Sequence, residues 1–272
     1  MARGFDRDRF ASRLGSTVLG RELLVRETTA STNDDAWEAL PAHGHGVAVV
    51  ALAQTRGRGR GGRGWVQVPG KGLALSVALR LDFDARHAGL IPLAAGLAAV
   101  EAAHALGAGG ARLKWPNDVL ARGRKLAGVL CEVRRAPAAP AAARDAVVIG
   151  LGMNVGHARE DFPDEIADTA TSLALEGAPV GLEDAAATFL GRLEPLWAGL
   201  CQGARPALLA EWSRWMPQWD ERLTVRTPAG LVAGVALRLD AEGGLVLRGD
   251  DGLETTVLAG DVMAPVEGRG VA

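Results

Sequence analysis

The chain has 272 residues, 48% of them hydrophobic and 23% charged, with a formal net charge of −2 at pH 7. These values exclude a disordered chain and a basic nucleic-acid coat protein, and they leave room for one sizeable core with a small satellite. Cys131 and Cys201 are the only cysteines and neither has a close Cys or His partner, which excludes a disulfide framework or zinc knuckle and fits a reducing cytoplasm.

The N-terminal MARGFDRDRFASRLG is charged and has no signal-peptide core, and no window reaches the roughly 18 apolar residues of a membrane span. Glu22 to Glu27 is a β-type run, followed by TTASTNDDAWEAL with Thr32 or Asn33 as helix N-cap. Residues 46–55 read as a buried strand that ends where a Gly/Arg loop begins, and Trp65 to Val68 resumes extended structure. Residues 72–81 alternate with the period of a strand, and residues 88–106 are Ala/Leu-rich at helical spacing.

Three strand candidates come next, ARLKWPNDVLA, KLAGVLCEV and DAVVIGLGMNV, the last two separated by a Pro/Ala excursion from Arg134 to Arg144 read as a variable surface loop. From Leu182 to about Met216 the pattern is helical, with Phe189, Leu193, Leu196, Trp197 and Leu200 on one face. After Trp219 short strands alternate with Pro-Ala-Gly, Glu-Gly-Gly and Asp-Asp-Gly turns, as in a small β-barrel. The division predicted is 1–219 and 220–272. About twenty residues precede the first strand, too few for an independent DNA-binding domain.

The stretch Gln54 to Trp65, QTRGRGRGGRGW, holds four arginines and five glycines without an acid. Such a tract is often a solvated flexible loop, but this one is anchored by a buried strand at one end and an indole at the other. Glycine lets backbone approach a ligand closely, and arginine offers a planar, permanently charged fork matched to phosphate. The natural ligand is a polyphosphate or acyl phosphate. The tract lacks the Gly-Lys-Ser/Thr of a Walker loop, and Gly150 to Gly156 is no dinucleotide fingerprint, since its spacing is wrong and HAREDFPDE after it has no apolar helix face.

In chain order the sequence carries Ser31-Thr32-Asn33, Gln54, GRGRGGRGW (Gly57 to Trp65), KWPNDV (Lys114 to Val119), KLAGVL (Lys125 to Leu130), GLGMNV (Gly150 to Val155) and Thr171-Ser172-Leu173. This set resembles the biotin-protein ligase family, also called biotin-[acetyl-CoA-carboxylase] ligase, in its monofunctional type without an N-terminal winged-helix repressor domain. The resemblance implies an α+β fold: a mixed sheet with flanking helices, of the class II synthetase-like biotin/lipoate ligase kind, plus a C-terminal SH3-like barrel. It implies that biotin and MgATP give biotinyl-5′-AMP and pyrophosphate, and that a lysine of a biotin carboxyl carrier protein then takes the biotinyl group. No DNA or membrane partner is expected, and relatives of this kind are monomers or homodimers.

Carried over motif by motif, the resemblance implies a biotin site of Ser31, Thr32, Asn33, Gln54, Arg58, Gly59, Arg60, Lys125 and Gly128. The ATP and adenylate side would be Gly57, Arg58, Arg60, Arg63, Trp65, Lys114, Asn117, Asp118, Lys125 and Asn154. Lys125, Arg60 and Asp118 would carry the chemistry, with Lys125 between the biotin carboxylate and the α-phosphate. Two roles are open to Asp118: ligand of Mg²⁺, or acceptor of the proton from the attacking lysine. Each residue also has a plainer reading: Lys125 as a surface side chain, Thr32 or Asn33 as helix caps, Trp65 as a core anchor, Asn154 as a turn residue. Three rivals compete. Lipoate ligase, which also adenylates a carboxylic acid, ordinarily shows an Arg-Arg/Gly-Gly-Gly pattern and His-Asp, both missing here. An Arg/Gly nucleic-acid binder sits badly with the net negative charge. An inactive scaffold would have no use for so complete a set.

Overall fold

The structure is a computed structural model that describes residues 4–135 and 145–263. A seven-stranded mixed sheet forms its centre, in the order β1-β2-β3-β7-β6-β5-β4. Its strands are β1 (Leu23–Thr29), β2 (Ala48–Gln54), β3 (Gly72–Arg80), β4 (Ala111–Lys114), β5 (Asp118–Ala121), β6 (Arg124–Arg134) and β7 (Ala146–Asn154). β1 and β2 are parallel, joined by the crossover helix α2 (Thr32–His43), and every other neighbouring pair is antiparallel.

The two faces of this sheet are built differently because side chains alternate along each strand. On one face Leu73, Leu75, Val77, Leu79, Val147, Ile149, Leu151 and Met153 join the main core beneath α3 (Ile91–Ala105). On the other, Ala78 and Val148 meet Ala36, Trp37 and Leu40 of α2. Toward the Gly/Arg loop the residues of that second face shrink: Ala78, Ser76 and Ala74 on β3, and Val148, Gly150 and Gly152 on β7. The sheet therefore has one fully packed face and one that opens into a cleft.

α3 is apolar around most of its surface, Glu101 and His104 excepted, because both its sides are covered, by β4, β6 and β7 below and by α4 (Leu182–Cys201) and α5 (Arg205–Trp215) above. Together with the 3₁₀ turn before it, this stretch (86–105) has the length and apolar character of a membrane span, contrary to the sequence expectation. Its apolar surface is used up inside the core, where Ile91, Leu93, Leu97 and Val100 are at most 1% exposed. The expected helical pair is α4 and α5, with Phe189, Leu193, Trp197 and Leu200 buried and Leu196 partly so.

Local departures from the sequence reading have local causes. The helix expected over 88–106 begins as a 3₁₀ turn, 85–90, capped by the Asp84 side chain. ARLKWPNDVLA, read as one strand, is the hairpin β4–β5, folded back at Trp115-Pro116-Asn117. Residues 65–68 form no strand. Their course is fixed by the Gln67 amide, which donates to the carbonyls of Ala51, Leu52 and Gly72. The helix α1 (Arg7–Arg13) was not foreseen; it docks on α4 through Arg9 to Asp184. Most of the Arg134 to Arg144 excursion lies outside the described residues.

The C-terminal region forms a second, five-stranded antiparallel sheet, β11-β10-β9-β8-β12, from β8 (Arg222–Thr227), β9 (Gly230–Leu239), β10 (Leu245–Arg248), β11 (Glu254–Val257) and β12 (Asp261–Val262). This is consistent with the expected SH3-like unit, although among the described residues the ladder does not close into a barrel. It is tied to the first sheet by the Trp115 indole N–H, which donates to Gly243 O at 3.0 Å in a buried setting.

Glu194 of α4 holds the turn before β1, accepting from the backbone N–H groups of Thr17, Val18 and Leu19 and from the Thr17 hydroxyl at 2.6–2.8 Å. Burial pushes its carboxyl upward, but the hydrogen bonds outweigh that and hold it at about 2. Because the folded value is depressed, the stabilisation is complete above the ordinary carboxyl range and is lost as pH falls toward 2. Glu194→Gln is expected to destabilise the fold by about 1–3 kcal/mol at neutral pH, the range for hydrogen bonds to a charged group. In urea unfolding across pH, the gap between the two proteins is expected to narrow below the ordinary carboxyl pKa.

Candidate active site

The cleft on the open face encloses about 720 Å³, part of it open to solvent. Its inner end is polar and uncharged. α2 begins at Thr32 with Ser31 as N-cap, so neither of the predicted caps caps it. The Thr32 N–H donates instead to Gln54 Oε1 at the end of β2, at 2.9 Å, and the Thr32 hydroxyl oxygen lies 3.2 Å from the same atom. Asn33 is held between β3 and β6: its Oδ1 accepts from Ser76 Oγ at 2.7 Å and its Nδ2 donates to Glu132 Oε2 at 2.8 Å. Ser31, Thr32 and Asn33 are each 4% exposed.

Side chains are missing from the floor for a physical reason. A Cβ on Gly150 would stand 2.2 Å from Asn33 Oδ1, and one on Gly152 would stand 2.4 Å from the Trp65 indole. Both distances are below any real contact, so only glycine lets the amide and the indole lie against β7. The Trp65 Nε1 atom is itself buried without a hydrogen-bond partner.

The outer end is cationic. Lys125 reaches it through a β-bulge: Gly128 faces Asp118 and Ala127 faces Val119, but Lys125 faces Leu120, so one extra residue in β6 returns Lys125 to the face of Gly128. Its backbone is clamped by one segment, its N–H donating to Thr169 O and its carbonyl accepting from Thr171 N–H. The ammonium lies 2.8 Å from Asp118 Oδ1 and 5.8 Å from the Trp65 ring centroid. Lys114 of β4, beside this group, is pushed below the ordinary lysine range, chiefly by burial.

The arginines of the loop differ in their partners. Arg58 forms a bidentate pair with Asp34, at 2.7 and 2.8 Å, and lies 3.6 Å from Glu132. The Arg58 hydrogen bonds hold the Asp34 carboxyl below its usual range. Arg63 reaches Asp261 of β12 at 2.8 Å. Arg60 is bonded to neutral oxygens, Asn117 Oδ1 at 2.9 Å and Gly260 O at 3.1 Å, with Asp261 at 3.8 Å. Of the three loop arginines that line the cleft, Arg60 is therefore the one with the most charge left for an incoming anion.

Comparison with known proteins agrees with this geometry. Residues 24–154 match the Biotin/lipoate A/B protein ligase family. The biotin–[acetyl-CoA-carboxylase] ligase of Mycobacterium tuberculosis (strain ATCC 25618 / H37Rv) is 40% identical over 199 residues, covering 70% of this chain and 68% of that protein. The chain belongs to the biotin/lipoate protein ligase family. The bifunctional ligase/repressor of Bacillus subtilis (strain 168) is 32% identical over 185 residues, which are 66% of this chain and 54% of that one. Among solved structures, the biotin protein ligase of Aquifex aeolicus in complex with biotin and ATP superposes with a TM-score of 0.74 at 27% identity, covering 89% of this chain and 98% of that one. The Leishmania major enzyme in complex with biotinyl-5-AMP shares the fold, with a TM-score of 0.56 at 23% identity over 87% of this chain and 98% of the other.

In this ligase-family chain the cleft brings together Ser31, Thr32, Asn33, Gln54, Arg58, Gly59, Arg60, Arg63, Trp65, Asn117, Asp118, Lys125 and Gly128. Three predicted residues stand outside its lining. Gly57 forms the neck of the loop, where a Cβ would meet Trp65 O at 2.7 Å. Lys114 lies beyond Asp118 on β4, its backbone paired with Asp118. Asn154 is buried with its amide donating to Thr171 O at 2.9 Å, so it ties β7 to the segment that clamps Lys125. Sequence reasoning missed Ser76, Glu132 and the role of Gly150 and Gly152. The glycines did leave a signal, since two glycines spaced by two in a buried strand lie on one face.

Gly150→Ala is expected to break both Asn33 side-chain bonds and destabilise the fold by about 1–3 kcal/mol, as overpacking does. Gly128→Ala would meet the movable tip of Lys125 at 3.2 Å. It is expected to change stability by under about 0.5 kcal/mol while displacing the ammonium. Urea unfolding of the two variants side by side checks the contrast.

Proposed function

We propose that this chain activates biotin with ATP, forming biotinyl-5′-AMP and pyrophosphate, and then transfers the biotinyl group to a lysine of a biotin carboxyl carrier protein. The observation that carries this reading is the polarity of the cleft. Its inner end, at Thr32, Asn33 and Gln54, suits a neutral head with both donors and acceptors, such as biotin's ureido ring. Its outer end, at Arg60 and Lys125, suits a carboxylate meeting a phosphate.

In the first step an oxygen of the biotin carboxylate attacks the α-phosphorus, and the bond to the bridging oxygen of pyrophosphate breaks. Two anions must approach, so catalysis rests on positioning and neutralisation. At about 4 Å two like charges repel by roughly 4 kcal/mol near a protein surface, and a cation between them reverses the sign. Lys125 is the compact cation for that place, held by Asp118 until ligand enters. Arg60 meets the phosphate from the loop.

Asp118 is the one carboxylate among the described residues that line the cleft. Mg²⁺ commonly binds through one or two carboxylates and the substrate's phosphates, so this donor set fits the ion, which would further neutralise the phosphates. In the second step the neutral amine of the carrier lysine attacks the acyl carbon, the bond from that carbon to the phosphate oxygen breaks so that AMP leaves, and the amine's proton passes to solvent or to the Asp118 carboxylate. We assign the cleft to residues 1–219 and a closing role to 220–272, through Gly260 and Asp261. The compartment proposed is the cytoplasm.

The test is ATP–pyrophosphate exchange. Exchange is expected with biotin and not with lipoate, and Lys125→Ala is expected to abolish it. A purified chain that shows no biotin-dependent exchange overturns the reading, and normal exchange by the variant removes Lys125 from the chemistry.

Arg60→Gly should loosen the loop's hold on the adenylate, a mixed anhydride that water destroys. Release of free biotinyl-5′-AMP and labelling of unrelated lysines are expected to rise together. Mass analysis of a carrier domain mixed with a bystander protein checks this, and unchanged selectivity would refute it.

A further inference from the structure

We infer that Glu132 is a positioning residue that sets the hydrogen-bond polarity of the cleft's inner end, fixing which atoms face the ligand as donors and which as acceptors. The inference rests on the biotin reading above and adds a residue that does not line the cleft.

The argument is one of proton counting. A carboxylate only accepts, so the Asn33 group 2.8 Å from Glu132 Oε2 must be the Nδ2 amino group. That fixes the amide, and its Oδ1, an acceptor only, faces Ser76 Oγ at 2.7 Å. The single Ser76 proton is thereby committed to Asn33. Ser76 Oγ also lies 2.7 Å from Thr32 Oγ1. With the Ser76 proton already engaged, the proton in that contact must be the one on Thr32.

The Thr32 hydroxyl thus donates inward, so its 3.2 Å approach to Gln54 Oε1 carries no proton, and it offers a lone pair to the cleft as an acceptor. At the same time Gln54 Oε1 is held by the Thr32 backbone N–H at 2.9 Å, which leaves the Gln54 Nε2 group as a donor. An acceptor at Thr32 beside a donor at Gln54 is the complement of a cyclic urea, which offers N–H beside C=O. Each link joins different elements, β6 to α2, α2 to β3, and β3 back to α2; the two at Ser76 are buried and the one at Glu132 is half-buried. Gly150 leaves the space in which the Asn33 amide lies. The second oxygen of Glu132, 3.6 Å from Arg58, keeps the carboxylate beside the base of the loop.

The test is calorimetric titration of the full-length chain with biotin and with neutral carbamate analogues in which one ureido N–H is replaced by oxygen, made as both regioisomers. The unaltered chain is expected to prefer biotin over at least one regioisomer by roughly 30-fold or more, since a site built for an N–H leaves its acceptor facing another acceptor. In Glu132→Ala the chain of protons can reverse. Biotin is expected to weaken by about tenfold or more while the preference falls below about fivefold. Glu132→Gln can still present an oxygen to Asn33 and is expected to restore the preference to within about threefold of the unaltered chain.

A merely structural role would weaken biotin and analogues by one common factor, and that result overturns the inference, as does a Glu132→Ala chain that binds biotin within about twofold of normal. If Glu132→Ala does not fold, Ser76→Ala interrupts the same chain one link later and is expected to lower the same preference; an unchanged preference there overturns the inference. Absence of biotin binding by the unaltered chain would overturn the biotin reading itself, a result distinct from binding that is indifferent to Glu132.

Discussion

A cleft can open on a β-sheet only where the strands carry no side chains, and the rest of this site depends on that constraint. Gly152 and Gly128 sit directly opposite each other on β7 and β6, with Ala74 beyond Gly152 on β3 and Asp118 beyond Gly128 on β5. This row makes a trough two glycines wide, with a carboxylate at one side. Glycine in a strand interior weakens it, through backbone entropy and lost packing. The cost is offset on the reverse face, where Val129, Leu151 and Met153 are nearly or fully buried in the main core. Stability and function are thereby divided between the two faces of the same strands.

Three of the four cations that line the cleft have a carboxylate holder before any ligand arrives: Asp118 for Lys125, Asp34 for Arg58 and Asp261 for Arg63. A cluster of unpaired cations in and beside the glycine-rich loop would repel itself and lose the geometry that positioning requires. Exposed pairs of this kind contribute little net stability, typically under about 1 kcal/mol, so an incoming phosphate can displace them at small cost. The two strongest contrasts are Arg58, whose bidentate carboxylate partner makes it a clasp between loop and α2, and Arg60, whose nearest partners are neutral oxygens. Arg58, Arg60 and Arg63, which look equivalent in the sequence, thus differ by what lies opposite them.

Much of the architecture was legible because it is written in local patterns. The alternation over 72–81, the apolar periodicity over 182–216 and the turn-rich texture after Trp219 each correspond to β3, the α4–α5 pair and the second sheet. Thr32, Gln54, Trp65 and Lys125 were singled out by the resemblance of their motifs to a known family, and all four line the one cleft. What escaped notice depends on partners far along the chain. The bond between Asn33 and Glu132 joins residues 99 positions apart, and that between Ser76 and Asn33 spans 43. The N-cap was misassigned because Thr32 and Asn33 have the right chemistry for capping, yet the cleft offers their side chains other partners. The bulge that re-aims Lys125 has no composition of its own, since an extra residue shows only against the partner strand.

The second sheet acquires its role from where its last described strand ends. β12 is only two residues long, paired to β8, yet it places Gly260 O and the Asp261 carboxylate against Arg60 and Arg63 of a loop some 200 residues earlier. A loop with five glycines among twelve residues loses much conformational entropy when ordered, and anchoring its ends on β2 and Trp65 leaves the middle to be held from outside. The anchors available are Asp34 on α2, Asn117 in the turn between β4 and β5, and the β12 strand. These belong to three separate elements, so the loop records the relative position of all three. The buried Trp115 to Gly243 bond locks the two sheets together close to that turn. A shift of the C-terminal sheet would therefore move the arginine that meets the phosphate, which makes that sheet part of the site's geometry although it contributes no side chain to the cleft lining.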